Sequence, residues 1–434
     1  MKKINIFLII LLFVSLLVTG CADYSEKGDS AIFSSDGSGG GHGSAPGDSG
    51  DAGYESSPAG DGGDSGEPGE NQNKGPKPGQ LTAGEWSDIK NYGFYLNLFN
   101  VIDNPDAEES QRRTSFSKFE NYFGFETRYM VTVNVDYNTL PVNDAEVKII
   151  DSNQNLLFTA RTDACGNAFL FPNYDLTGES ITVTVKSGAA EKSKNLIYDP
   201  QENLQITLTG RDAKQSVLDL MFVIDTTGSM GDEIRYLKSE IEDVIGKIST
   251  ANPNLTINLA LLFYRDIGDD YVTRYFDFTT NIKQQQTNLS KQSAGGGGDF
   301  PEAADKALAE AVAKSWTTGN AARLIFHVCD APPHDTQQNK TVFFNAVKTA
   351  AQKGIRIIPI ASSGIDLNTE FLLRQEALMT GGTYIFLTND SGIGNSHLEP
   401  TIGEYIVEYL NACMVRVVNE YLTGVSTEPV PYYK

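Results

Sequence analysis

From Arg128 to about Leu208, apolar and polar residues alternate in short runs. Met130-Val-Thr-Val-Asn-Val-Asp136, Ala145-Glu-Val-Lys-Ile-Ile150, Leu156-Leu-Phe-Thr-Ala160, Ala168-Phe-Leu-Phe171 and Ile181-Thr-Val-Thr-Val185 each read as a strand with one buried face. Turn signals separate them, among them Asp151-Ser-Asn153 and Asp163-Ala-Cys-Gly166. Short strands punctuated in this way predict an all-β sandwich. From Ser216 to about Gly424 the texture changes. Strand-like, mostly apolar segments at 218–224, 257–264, 273–278, 324–329, 355–360 and 383–386 alternate with helical periodicity at 232–248, 301–314, 340–352, 369–379 and 399–421. Strand–helix repetition predicts an α/β domain, a doubly wound, mostly parallel six-stranded sheet covered on both faces. The third strand follows the second after a short turn and is expected to be an antiparallel edge. The last predicted helix places Ile402, Ile406, Leu410 and Met414 on one face, toward the sheet.

The N-terminus has a different pattern. Lys2 and Lys3 precede an apolar run from Ile4 to Val18, the layout of a secretory signal, and the run ends in Leu17-Val-Thr-Gly20-Cys21. This ending resembles a bacterial lipobox, which implies that Cys21 is lipidated, with palmitate among its acyl groups, and becomes the first residue of a protein held on the extracytoplasmic face of a bacterial envelope membrane. Residues 22–80 are Gly, Ser, Asp and Pro with few large apolar side chains, a composition that buries too little surface to offset ordering entropy and reads as a flexible tether. The expected organisation is a signal peptide at 1–20, a tether at 21–80, a pre-domain segment at 81–127 with Trp86 as a core anchor, a sandwich at 128–210, the α/β domain at 216–424 and a tail at 425–434.

A net charge of −22 over 434 residues argues against nucleic-acid partners, which require a basic face. Four His residues without zinc-like spacing exclude a zinc site of familiar type. With Cys21 set aside, Cys165, Cys329 and Cys413 are an odd count and a poor disulfide framework, so free thiols are expected.

The candidate chemistry lies at strand ends. Leu218–Ile224 delivers Asp225-Thr-Thr227-Gly-Ser229, and Leu324–Cys329 delivers Asp330-Ala-Pro-Pro. In open α/β sheets ligands bind beyond the carboxyl ends of the strands. Carboxylates and hydroxyls gathered there make an all-oxygen site suited to Mg²⁺, Mn²⁺ or Ca²⁺. The Asp-x-Thr-x-Ser cluster, the Gly295–Glu302 segment (Gly-Gly-Gly-Gly-Asp299-Phe-Pro-Glu302) and Asp330 resemble the von Willebrand factor type A (VWA) family. Phe263-Tyr-Arg-Asp266 and the Gly-rich segment resemble its bacterial branch. The resemblance implies a metal-ion-dependent adhesion site with Mg²⁺ first, and Mn²⁺ or Ca²⁺ as alternatives. Asp225, Thr227, Ser229, Glu302 and Asp330 would be its ligands, and Arg265 and His334 would stand at its rim. Where many members supply a Thr, this chain has Asp299 and Glu302; the Asp-x-Pro-Glu order is similar to integrin β chains and favours Glu302 over Asp299. The region before it resembles carboxypeptidase-regulatory or transthyretin-like domains, through Pro141-Val-x-Asp144 and Thr162-Asp163-x-x-Gly166.

The expected function is therefore binding of an acidic protein or glycan through the cation, by a lipid-anchored surface protein that is not an enzyme. A metal-dependent hydrolase would need a nucleophile and a positioned base beside the ion, and no such set stands out. The alternative is an envelope assembly module in which metal only stabilises the fold.

Overall fold

In the computed structural model, residues 76–100, 116–211, 216–319 and 321–433 are described. The signal, Cys21 and most of the tether lie outside them.

The chain begins with β1 (Thr82–Trp86), α1 (Tyr92–Asn97) and α2 (Phe116–Phe123). Eight strands follow: β2 (Val131–Tyr137), β3 (Leu140–Pro141), β4 (Glu146–Asp151), β5 (Leu156–Arg161), β6 (Asn167–Leu170), β7 (Ser180–Ser187), β8 (Ala190–Ile197) and β9 (Leu204–Thr207). They form two four-stranded sheets. In one, β2 pairs antiparallel with β3 and β6 and parallel with β9; the other has the order β5-β4-β7-β8. Val131, Val133 and Val135 of the first and Val147, Ile149, Val183 and Val185 of the second are buried in a single apolar cluster. The turn before β6 explains one sequence signal. Asp163 Oδ1 accepts the amides of Cys165 (2.9 Å) and Asn167 (2.8 Å), and Gly166 has φ +81°, where a Cβ would stand 2.4 Å from the Val135 carbonyl. Asp163 therefore shapes the turn between β5 and β6.

The remaining elements alternate: β10 (Val217–Asp225), α3 (Ile234–Ala251), β11 (Thr256–Tyr264), β12 (Thr273–Thr279), α4 (Ile282–Ser290), α5 (Ala304–Ala313), β13 (Ala322–Cys329), α6 (Gln337–Lys353), β14 (Ile355–Ala361), α7 (Leu367–Thr380), β15 (Tyr384–Leu387), β16 (Glu408–Tyr409) and α8 (Leu410–Thr423). All six predicted strands appear, with β12 as the antiparallel edge. The sheet, however, has eight strands, in the order β12-β11-β10-β13-β14-β15-β1-β16. Along β10, Leu218, Leu220, Phe222 and Ile224 face a cluster with α3 and α8, while Met221 and Val223 face the opposite cluster with α5, α6 and α7. Burial on both faces accounts for the mostly apolar sequences of these strands.

Three expectations are corrected. The 81–127 segment does not stand ahead of the α/β sheet: β1 pairs with β15 and β16, and α2 lays Phe116 and Phe123 against Phe371 of α7, with ring centroids 5.3 and 6.0 Å apart. The last helix begins at Leu410, not Glu399. Ile402 and Tyr405 pack on the cluster around Trp86 without helical geometry. Cys329 and Cys413 are free and buried, whereas Cys165 is disulfide-bonded, against the expectation of a free thiol. No helix among the described residues is long and apolar enough to cross a membrane.

Candidate metal centre

β11-β10-β13 is the place where the strand order reverses, since β10 is followed by β11 on one side and by β13 on the other. The carboxyl ends of β10 and β13 therefore open on one crevice. Asp225 is the last residue of β10, and Asp330 follows β13 directly. Asp225 Oδ1 accepts the Thr227 amide (2.8 Å) and hydroxyl (2.7 Å), and the Thr227 and Ser229 hydroxyls are 3.0 Å apart. Thr227 begins a short 3-10 turn, Gly228–Gly231, but its side chain does not cap it; the hydroxyl is committed to the carboxylate. Thr226 turns away, to the Tyr264 carbonyl (2.8 Å) and the Tyr271 hydroxyl (2.8 Å).

The third loop arrives through backbone contacts. Gly295 donates to the Thr226 carbonyl (3.1 Å), Gly228 to the Gly296 carbonyl (3.0 Å) and Glu302 to the Pro332 carbonyl (3.0 Å). Gly297, with φ +72°, passes so close that a Cβ would lie 2.9 Å from Glu302 Oε1 and 3.3 Å from Thr227 Cβ. Here a side chain would fill the space beside both groups. Asp299 is exposed, like Phe300 next to it.

The electrostatics are unfavourable as the residues stand alone. Asp225 Oδ2, Glu302 Oε2 and Asp330 Oδ1 are buried and have no hydrogen-bond partner. Burial, reinforced by Asp330, raises the Asp225 carboxyl well above the usual range. Burial also raises Asp330. Burial, then Asp225, Asp266, Asp330 and Asp269, pushes Glu302 up to about 9. Partnerless carboxylate oxygens in a shared crevice call for a proton or a cation. Among the described residues no group of three or more His, Cys, Asp or Glu side chains is arranged to hold a metal. An ion here would depend on the Thr227 and Ser229 hydroxyls as well as the carboxylates, and that donor set fits a hard cation.

The two rim candidates are engaged elsewhere. Arg265 donates to the Thr226 (3.1 Å) and Ser293 (3.0 Å) carbonyls, which ties loops together. His334 Nε2 meets Asp266 Oδ1 at 2.6 Å. Sequence reasoning missed Asp269, which accepts the Gly297 (2.8 Å) and Asp266 (3.1 Å) amides and so fixes the Gly-rich loop. It also missed Glu233, assigned to a helix. Glu233 is buried near Asp330, accepts the Ser363 amide (3.1 Å) and has His397 Nε2 3.3 Å away. Neither has a motif of its own, and only the folded loops bring them in.

Residues 219–388 match the von Willebrand factor A domain family, so the chain carries a VWA domain. An alpha-protein kinase of Dictyostelium discoideum is 28% identical over 197 residues, which cover 45% of this chain and 30% of the kinase. An ariadne-like RING finger protein of Acanthamoeba polyphaga mimivirus is 30% identical over 137 residues, 31% of this chain and 13% of that protein. The chain thus spans under a third of the length of the curated relatives it matches. Among solved structures, BatB from Bacteroides thetaiotaomicron aligns with 14% identity and a TM-score of 0.30 over 40% of this chain and 93% of its own.

Proposed function

We propose that this chain is a lipid-anchored protein of the bacterial envelope whose VWA domain holds a divalent cation and, through it, an acidic protein or glycan partner. Asp225, Thr227, Ser229, Glu302 and Asp330 would hold the ion, with Mg²⁺ favoured and Mn²⁺ or Ca²⁺ also suited. The observation that carries this reading is the set of buried, partnerless oxygens on Asp225, Glu302 and Asp330 beside the Thr227 and Ser229 hydroxyls, which lie 3.0 Å apart. The ion would supply positive charge that the crevice lacks and a coordination position for a partner's carboxylate. The two small sheets would be the carboxypeptidase-regulatory-like sandwich, held as a spacer between tether and VWA domain.

Calorimetry on the EDTA-stripped ectodomain is expected to show saturable Mg²⁺ uptake. Asp225→Asn should abolish that uptake and, by removing one of the crowded charges, leave the stripped protein no less stable. Absence of uptake by the wild type for Mg²⁺, Mn²⁺ and Ca²⁺ alike would overturn the proposal. If Asp225→Asn loses the ion yet still captures a surface partner, the assembly-module reading replaces adhesion.

Lipidation has a separate test. Metabolic labelling with palmitate is expected to mark the protein, and Cys21→Ala to abolish the mark and release the chain from membranes. An unlabelled wild type would remove the anchor from the proposal.

A further inference from the structure

The crevice is ringed by charge of one sign. The loops 226–233, 265–272, 291–303 and 330–336 enclose it, and they carry nine carboxylates against two Lys or Arg side chains, Arg265 and Lys291. Arg265 is already engaged: its side chain is 11% exposed, it donates to two carbonyls, and Asp270 lies 3.7 Å from Nη1. His334 is held by Asp266. Asp232, Asp270 and Asp299 are exposed, Asp270 with 89% of its side chain in solvent. A divalent ion at the centre would offset two of these charges, so the face stays acidic when loaded. Two large apolar side chains stand in the same loops, Ile267 (54% exposed) and Phe300 (46% exposed). The loops are tied together, by Gly297 N–H on Asp269 (2.8 Å) and Gly228 N–H on the Gly296 carbonyl (3.0 Å), so the rim is set before a partner arrives. Within the rim lie the buried, partnerless oxygens of Asp225, Glu302 and Asp330.

We propose that the partner of this face is a polypeptide surface that is basic overall, brings one carboxylate to the ion, and lays apolar side chains on Ile267 and Phe300. The inference rests on the cation reading of the site and narrows its partner. A carboxylate is drawn to the ion, but the same rim repels any acidic neighbours it brings, because like charges facing each other across an interface select against a partner. Lys or Arg beside that carboxylate turn the repulsion into attraction and steer the encounter. The net charge of −22 on the whole chain acts in the same sense at longer range. An acidic glycan sets a carboxylate on successive sugars against Asp232, Asp270 and Asp299. It also has no apolar side chain to cover Ile267 and Phe300, the exposed apolar groups of a surface built for protein contact.

The test is biolayer interferometry of the Mg²⁺-loaded ectodomain on defined probes. These are the peptides acetyl-KSLDSK-amide, acetyl-ESLDSE-amide and acetyl-KSLNSK-amide, and a tetramer of galacturonate. The lysine-flanked aspartyl peptide is expected to bind at least about tenfold more tightly than the glutamate-flanked one, and to lose binding in EDTA. Asp232→Lys combined with Asp270→Lys, neither residue a proposed ligand, should keep Mg²⁺ uptake in calorimetry and narrow that preference to under about threefold. If the pair does not fold, raising NaCl from about 50 to 500 mM, which screens exposed charges, is read in its place with the same expectation. Four results overturn the proposal while the cation reading stands. The glutamate-flanked peptide or the galacturonate tetramer binds as tightly as the lysine-flanked aspartyl peptide; the asparagine peptide does so, which reduces the effect to bulk charge; the preference survives the double variant or the salt; or the lysine-flanked aspartyl peptide does not bind at all. No Mg²⁺ uptake by the wild type overturns both.

Discussion

Raising the pH of the EDTA-stripped protein from about 5 to about 9 is expected to lower its Tm steadily, and millimolar Mg²⁺ to remove most of that fall. The sign follows from Glu302. Its carboxyl titrates near the ordinary value in the unfolded chain and is pushed up to about 9 in the folded one. Between those values the folded state binds more protons than the unfolded state, so stability is fully present below the unfolded value and is lost as pH climbs through the folded one. Asp225 and Asp330, both raised by burial, act in the same direction. A cation replaces the protons, so its uptake releases them and strengthens with pH. Thermal melts across pH with EDTA and with Mg²⁺ make the comparison. A stripped protein whose Tm is flat or rises over this interval would show that the carboxylates are not crowded as described.

Replacing Arg374 is expected to be the most damaging single change away from the crevice. Its guanidinium is 0% exposed and bonds Asp88 through Nε (2.8 Å) and Nη2 (2.6 Å), Glu370 through Nη1 (3.2 Å) and the Thr401 carbonyl through Nη1 (2.7 Å). Arg374→Met strands two buried carboxylates, a loss on the order of 3–5 kcal/mol. Arg374→Lys should recover little, because one ammonium cannot reproduce the fork. Adding Asp88→Asn to Arg374→Met should restore part of the loss by neutralising one stranded charge. Urea unfolding reads all three. A loss below about 1 kcal/mol for Arg374→Met, the ordinary scale of a surface ion pair, would mean that water reaches the cluster.

Much of the α/β region was legible because its strands are buried on both faces. β10, β11, β13 and β14 are mostly apolar, and the ends of β10 and β13 locate Asp225 and Asp330 without further help. β8 was missed because Ala190–Ile197 is an exposed edge whose polar sequence carries no alternation. The start of the last helix was misplaced because Ile402 and Ile406 keep helical spacing, although Ile402 packs as loop and Ile406 is 41% exposed. α7 shows the limit of periodicity most clearly. Buried on all sides, it presents Glu370, Arg374, Gln375 and Glu376 inward, and only the tertiary partners explain them. In the crevice, the motif residues were visible from spacing, whereas Asp269 and Glu233 come from positions without any pattern.

β1 sits between β15 and β16, and the Thr82 hydroxyl meets that of Thr388 across 306 residues of chain. β1 must therefore wait for strands made some 300 residues later before its backbone groups are paired. Closing so long a loop is slow, and until then the β15 margin offers open hydrogen-bonding groups to other chains. A shortened version starting at Ser216 would keep that margin bare for good. It would also lose the Gly79, Gln80 and Leu81 amides that satisfy the buried Glu240 carboxylate. Such a fragment should self-associate where the longer chain stays dispersed.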